Sequence, residues 1–199
     1  MSEYSERYLT GIKTIAAAID PEAIDRVVHL LCAVRDRNGR VFFLGVGGGA
    51  SQASHAVNDL RKVAGVESYS PSDHAAELTA WINDDGWETA YADWLRGSRI
   101  NASDAVFVFS VGGGNLDKNV SVNLVNCLKL AQEVGAAIAG VVGRDGGYAA
   151  QVGNEVLIVP ASFPDMVTAH TEAFQSVIWH GIVSHPALRK NELKWESMK

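Results

Sequence analysis

The feature that most constrains the fold of this chain is a repeated pattern, in which a short apolar run leads directly into a cluster of glycines. Residues 41–44, Val-Phe-Phe-Leu, run into the glycine-rich residues 45–49, and residues 105–109, Ala-Val-Phe-Val-Phe, run into residues 110–114. Uninterrupted apolar runs of this length are typical of parallel strands that are buried on both faces. Each repeat therefore predicts a buried strand, a glycine loop and a following helix.

The rest of the chain continues this alternation. Further strands are predicted at residues 137–142 and 156–159, and a long C-terminal helix at about 164–185. At the N-terminus, an apolar stripe at helical spacing predicts a helical hairpin, with Asp20 as N-cap and Pro21 at the first helical position of the second helix. Alternating strands and helices predict an α/β fold: a three-layer αβα sandwich with a doubly wound parallel sheet, whose ligands bind beyond the strands' carboxyl ends.

Length and composition fit one globular domain. The chain has 199 residues, and its 47% hydrophobic content is enough for a sizeable core. We expect a single domain over residues 1–199, comprising N-terminal helices at 1–38, an α/β core at 39–186 and a charged tail at 187–199. We expect the tail to be exposed or loosely packed.

Charge and cysteine content exclude several functions. A net charge of −6 argues against general binding to nucleic acid or to an anionic membrane. Cys32 and Cys127 lie far apart in apolar surroundings and predict buried, reduced thiols. The first residues lack the apolar segment of a signal peptide, and no apolar run reaches the length of a membrane span. We therefore expect a cytoplasmic protein.

The first glycine loop is a candidate anion site. A strand that passes through glycines into a helix presents free N–H groups and the positive end of the helix dipole, which favour a phosphate. The glycines match neither the dinucleotide fingerprint nor a Walker loop, so no nucleotide cofactor is predicted. The alternative is a tight turn that binds nothing.

Two pairs of polar residues are candidates for metal binding or proton transfer. His55 and Asp59 are four residues apart and share one helix face; Glu172 and His180 are eight residues apart on the C-terminal helix. Together they make a two-histidine, two-carboxylate set that suits zinc or a similar divalent ion, or that can move protons. The alternatives are a solvated surface pair and a core or interface histidine, because the sequence does not show that the two helices meet.

These residues carry a resemblance to a known family. The chain resembles sugar isomerase (SIS) domains, which have a flavodoxin-like fold, and among them it is similar to bacterial phosphoheptose isomerases. The resemblance extends from the N-terminal helices to His185. Its anchors are the 45–49 loop with His55 and Asp59, Asn83-Asp84, Ser110 with its loop, residues 143–147, and Glu172 with His180.

The resemblance implies residue roles. Asp59, His180 and Glu172 fall at positions that act in catalysis in the family, although the family has Glu and Gln where this chain has Asp59 and Glu172. Some members bind one zinc ion per subunit through positions matched by His55, Asp59, Glu172 and His180. The implied substrate-binding residues are Gly47, Gly48, Gly49, Ser51, Asp84, Ser110, Gly112, Gly113, Gly114 and Asn115. Family members commonly form homotetramers with active sites between subunits.

The second loop departs from the family pattern. Relatives have a loop rich in Ser and Thr that holds phosphate, whereas this chain retains Ser110 and otherwise offers backbone N–H groups. Asn115, Lys118 and Ser121 are further candidates for holding phosphate. Arg144 and Asp145 are interpreted as polar residues of a turn.

The sequence therefore supports two hypotheses. The first is an aldose–ketose isomerase that converts sedoheptulose 7-phosphate to D-glycero-D-manno-heptose 7-phosphate through an enediol, with a small phosphosugar as its ligand. A five- or six-carbon sugar phosphate remains open as the substrate. The second is a non-catalytic SIS-domain sensor or adaptor, which the altered second loop favours and the retained His55, Asp59 and His180 disfavour.

Overall fold

The apolar runs form the strands of a parallel sheet. The computed structural model of the protein describes residues 3–194. Its strands are β1 (Val41–Gly45), β2 (Ser68–Tyr69), β3 (Ala105–Ser110), β4 (Ala137–Val142) and β5 (Glu155–Ile158). Their order across the sheet is β2-β1-β3-β4-β5, and every neighbouring pair is parallel. The predicted doubly wound sheet is confirmed.

Eight α-helices within the described residues surround the sheet. They are α1 (Glu3–Ala18), α2 (Pro21–Asp36), α3 (Gly48–Asp59), α4 (Ala75–Asp85), α5 (Trp87–Gly97), α6 (Val122–Val134), α7 (Gly147–Val152) and α8 (Val167–Val183). A π-helical turn, Leu60–Ala64, continues α3, and a short 3-10 turn, Pro71–Asp73, precedes α4. The two predicted N-terminal helices are confirmed: the Asp20 carboxylate accepts a hydrogen bond from the Glu22 N–H, and Pro21 begins α2.

Alternate residues of each strand face two separate cores. Val41 and Phe43 pack with α2, α3 and α8, whereas Phe42 and Leu44 pack with α5 and α6 on the other face. Because both faces of the sheet are covered, every residue of β1 is buried, which explains its uninterrupted apolar sequence. The three-layer sandwich is therefore confirmed.

Parallel pairing brings the glycine loops to one edge of the sheet. β1 and β3 pair from Val41 with Ala105 to Gly45 with Phe109, so both strands end at the same level. A third loop, residues 143–147, leaves the neighbouring strand β4 at this edge. The first turn of α7 then packs on the second glycine loop: Tyr148 N–H donates to Gly114 O at 2.8 Å and Ala149 N–H to Gly113 O at 3.0 Å.

The C-terminal tail is more firmly attached than expected. Leu188 is fully buried in the core formed by α2, α3 and α8. The N–H groups of Lys190 and Asn191 both donate to Val63 O in the π-helical turn, at 2.9 and 3.0 Å. The side chains of 189–192 are exposed, as predicted, and these backbone bonds attach the segment to the π-helical turn. Residues 195–199 of the predicted tail lie outside the described residues.

Two further expectations concern thiols and membranes. Both cysteines are free thiols; Cys127 is buried, as predicted, whereas Cys32 is only half-buried. Among residues 3–194, no helix combines the length and apolarity that crossing a membrane requires.

Gly113 offers a test of how the second and third loops pack. Its φ is +66°, and an added Cβ would collide with the Gly146 carbonyl, whereas a Cβ at Gly112 would meet no atom within 4 Å. We expect Gly113→Ala to cost about 1–3 kcal/mol, because strain and a backbone clash combine. The melting temperature should fall by several degrees at roughly 2–4 °C per kcal/mol. Gly112→Ala is the matched control and should leave it nearly unchanged; equal melting temperatures for the two variants would contradict this packing.

Candidate functional site

A cavity of about 760 Å³ opens at the carboxyl edge of the sheet. Its walls are the first turn of α3, the second glycine loop with the segment that follows it, the third loop, and α8. The lining residues are Val46, Gly49, Ser110, Val111, Gly112, Asn115, Lys118, Val120, Ser121, Arg144, Asp145, Thr168, Glu172 and Gln175. This is the position at which ligands bind in parallel α/β sheets.

Internal hydrogen bonds shape the second glycine loop. The Ser110 hydroxyl oxygen accepts from Gly113 N–H at 3.0 Å, and the Asn115 side-chain oxygen accepts from Lys118 N–H at 2.8 Å. Gly113 and Gly114 are buried against the third loop, whereas Gly112 faces the cavity. The Ser110 hydroxyl hydrogen is still available to donate to a ligand.

The end of β1 is held by a tyrosine. The Tyr91 hydroxyl donates to Gly45 O at 2.9 Å, and burial raises the pKa of Tyr91 to about 12. The hydroxyl therefore stays protonated at neutral pH and remains a donor. This bond fixes the strand terminus from which the first glycine loop begins.

Helices α3 and α8 lie side by side and run in the same direction. At the start of α3, a Cβ at Gly48 would stand 2.5 Å from Glu172 Oε1. One turn later, the Gln52 side-chain amide donates to the Glu172 backbone carbonyl at 3.4 Å. At the end of α3, Trp179 donates to Asp59. The absence of a side chain at Gly48 allows the Glu172 carboxylate to sit against the N-terminus of α3.

Three of the four candidate ligands meet at the far end of these helices. Within residues 3–194, a cluster of His55, Asp59 and His180 brings one ligand atom of each residue within 4.8 Å of the others. Asp59 Oδ2 lies 3.2 Å from His55 Nε2 and 3.9 Å from His180 Nε2. Glu172 does not belong to this cluster; it precedes His180 by two helical turns, about 12 Å along the axis.

Neighbouring groups orient the cluster. The Trp179 indole N–H donates to Asp59 Oδ2 at 3.1 Å, and His180 Nδ1 lies 2.9 Å from Ser176 O. A carbonyl oxygen only accepts, so this contact is a hydrogen bond when His180 Nδ1 carries a proton, and it turns the Nε2 atom toward Asp59. The two imidazole rings pack edge to face at 5.1 Å. They are about half exposed, whereas the Asp59 side chain is only 15% exposed.

This arrangement fits a metal ion. Ligands bound to a tetrahedral ion at about 2.0–2.1 Å stand about 3.3 Å apart, a separation that the two Asp59–imidazole distances bracket. A histidine that donates its other ring nitrogen to a carbonyl, and a carboxylate that accepts from an indole, are typical supports of metal ligands. A second cavity of about 520 Å³ opens beside Asp59 and His180, next to the C-terminal segment.

Several predicted site residues lie outside both the large cavity and the cluster of His55, Asp59 and His180. Asp84 is exposed in the last turn of α4, where it accepts from the Asn83 amide at 2.8 Å, and it does not line the large cavity. Ser51 is exposed on α3. Gly47 is the N-cap of α3, with φ +59° and ψ −120°, and its open surroundings contrast with the crowding at Gly48.

The structure adds residues that sequence reasoning missed. Trp179 is buried, and its indole N–H orients Asp59. Gln175 is fully buried, donates to Val141 O at 3.1 Å, lines the large cavity, and has no partner for Oε1 within the described chain. Arg144 and Asp145 also line that cavity rather than serving only as turn residues. The sequence did contain a signal for Gln175, because it is a polar residue within an apolar helical stripe.

Comparisons with known proteins agree with this geometry. The chain is 30% identical over 182 residues to the lincomycin biosynthesis protein LmbN of Streptomyces lincolnensis, a match that covers 86% of this chain and 64% of LmbN. It is 30% identical over 147 residues to the phosphoheptose isomerase of Helicobacter pylori strain P12, a match that covers 70% of this chain and 72% of that protein.

A solved structure has the same fold. Phosphoheptose isomerase GmhA from Neisseria gonorrhoeae superposes with a TM-score of 0.76 at 21% identity, over 90% of this chain and 94% of that one. No protein-family model matches the chain. The identity to the Helicobacter protein over most of its length, together with the shared fold, shows that the chain belongs to the phosphoheptose isomerase family of SIS-domain proteins.

Proposed function

We propose that this protein is an aldose–ketose isomerase that acts on a phosphorylated sugar. The observation that carries the proposal is the placement of titratable groups along α3 and α8. Glu172 lines the large cavity beside the second glycine loop, and the cluster of His55, Asp59 and His180 lies two helical turns further along the same helix pair. An extended sugar phosphate can lie along this path with its phosphate at the glycine loop and its carbonyl end toward the cluster.

The proposed substrate is sedoheptulose 7-phosphate and the product is D-glycero-D-manno-heptose 7-phosphate. Relatives named phosphoheptose isomerase support this choice. The cavity of about 760 Å³ is within the usual range for small-molecule sites. A sugar phosphate of this size is flexible, so hydroxyl contacts are needed to hold it extended; Thr168 and Ser110 line the cavity, and their hydroxyls would make such contacts.

Asp59 and His180 are the proposed proton-moving pair. Asp59 removes a proton from C1 of the ketose, the C–H electron pair forms the C1–C2 double bond, and the C2 oxygen gains a proton from His180. In the second half, the C1 hydroxyl loses its proton to His180 and C2 receives the proton from Asp59. The result is the C1 aldehyde, with no net change in atoms or charge. Glu172 orients the open-chain sugar.

The cluster is also the proposed binding site for one zinc ion per subunit. His55, Asp59 and His180 would hold the ion, since imidazole and carboxylate are zinc ligands and their spacing fits. When bound, zinc supplies a Lewis acid that stabilises negative charge on a sugar oxygen.

We also propose a cytoplasmic homotetramer. Tyr4 and Leu9 leave 67% and 58% of their surface exposed on α1, which supports burial of that helix by another copy of the chain. The half-exposed imidazoles of the cluster are compatible with a neighbouring subunit that covers the site.

Replacing Asp59 tests the catalytic proposal. Asp59→Asn keeps the shape of the side chain but removes the base, so we expect kcat for sedoheptulose 7-phosphate to fall by about 10²–10⁴. Asp36→Asn, at an exposed carboxylate at the end of α2, is the matched control and should retain wild-type turnover. Aldose formation can be followed by NMR. Saturable binding of the sugar phosphate without any turnover by the wild-type protein would favour the sensor hypothesis instead.

Metal binding tests the zinc proposal. Cobalt titrated into metal-free protein should give the visible absorption of a tetrahedral site. His55→Ala and His180→Ala should lose that spectrum, and Trp179→Phe should weaken ion affinity by about 10–100-fold, because the indole orients a ligand. His29→Ala, at an exposed histidine of α2, is the control. A cobalt spectrum that persists without His55 and His180 would rule out this site.

A further inference from the structure

Two cations face the large cavity without a protein counter-ion. Lys118 and Arg144 both line it, and neither side chain makes an ion pair or a side-chain hydrogen bond within residues 3–194. Two acids also face the cavity. The Asp145 carboxylate accepts from Gly147 N–H at 3.2 Å, and the Glu172 carboxylate sits against Gly48. Neither carboxylate makes an ion pair with Lys118 or Arg144 within residues 3–194, so both cations remain available to an anion.

The second glycine loop also offers a backbone hydrogen-bond donor to this cavity. The N–H group of Gly112, which lines the cavity, has no acceptor in the described part of the chain, whereas Gly113 N–H is taken by Ser110. A free N–H group and two cations on one cavity wall suit a multiply charged anion. A neutral sugar offers no charge that these groups could balance.

Backbone hydrogen bonds hold the third loop, which carries Arg144, against the second glycine loop. The third loop closes with a Gly146 N–H bond to Gly143 O at 2.9 Å, and α7 then donates two N–H groups to the carbonyls of Gly113 and Gly114. The loop that carries Arg144 is thus tied to the loop that carries the free N–H group.

We propose that Arg144 binds the phosphate of the substrate, together with Lys118 and the N–H group of Gly112. This inference rests on the proposed function, because it names the phosphate contact of that same cavity. A guanidinium from the third loop would supply paired donors and a full positive charge beside a second loop whose retained hydroxyl is that of Ser110. The opposite end of the sugar then points along α8 toward Glu172.

The backbone of the chain offers a matched pair of variants. Arg144 and Arg99 are both exposed arginines in the left-handed region, each with φ +53°. Arg99 lies between α5 and β3, where it lines none of the cavities described. Arg144→Gly and Arg99→Gly therefore relieve the same backbone strain and remove the same charge. Neither variant should lower the melting temperature appreciably, and only Arg144→Gly alters the proposed phosphate site.

The experiment measures inorganic phosphate binding by calorimetry and, separately, turnover of sedoheptulose 7-phosphate. Arg144→Gly should weaken phosphate binding on the order of 10- to 100-fold, the effect of losing a charge-assisted contact, and raise KM more than it lowers kcat. Arg144→Lys should be intermediate, because it keeps the charge without the paired donors. Arg99→Gly should behave as wild type.

The outcomes separate the two proposals. If Arg144→Gly binds phosphate as well as wild type does, or if the wild-type protein binds none, the role of Arg144 is wrong whether or not the protein is an isomerase. If Arg144→Gly loses phosphate binding but the wild-type protein converts no sugar phosphate, the phosphate site stands and the isomerase proposal fails.

Discussion

The in-register pairing of β1 with β3 is the constraint on which the candidate site depends. The two strands end at the same level, Gly45 beside Phe109, so the glycine loops that follow them leave the sheet at neighbouring points of one edge. The second loop is then packed by the third loop and α7, through bonds from Tyr148 and Ala149. A shift of register by one residue would also turn the apolar side chains of each strand toward the wrong core.

Close contact between α3 and α8 brings titratable side chains together at this edge of the sheet. At one end, Gly48 has no side chain, so the Glu172 carboxylate can approach the positive end of α3. At the other end, Trp179 packs on Phe43 and Phe107 in the core while its N–H donates to Asp59. The same residue thus anchors α8 to the sheet and orients the carboxylate between two imidazoles.

Local signals in the sequence were sufficient for most of the secondary structure. The apolar runs, the Asp20-Pro21 helix start and the glycine loops predict elements within one to three residues of those observed. The last turn of α3 is different: it widens into the π-helical turn Leu60–Ala64, whose Val63 carbonyl accepts two N–H groups from the tail. No local pattern predicts such a turn, because its partner lies far along the chain.

The division between sequence and tertiary structure follows from the range of the forces involved. The sequence by itself determined the strands, the helices, the shared face of His55 and Asp59, and the parallel sheet, since these depend on periodicity and nearest neighbours. Only the tertiary structure decided that His180 joins that pair while Glu172 stays two turns away. It alone also decided that Arg144 faces the cavity, because these placements depend on how separate elements pack.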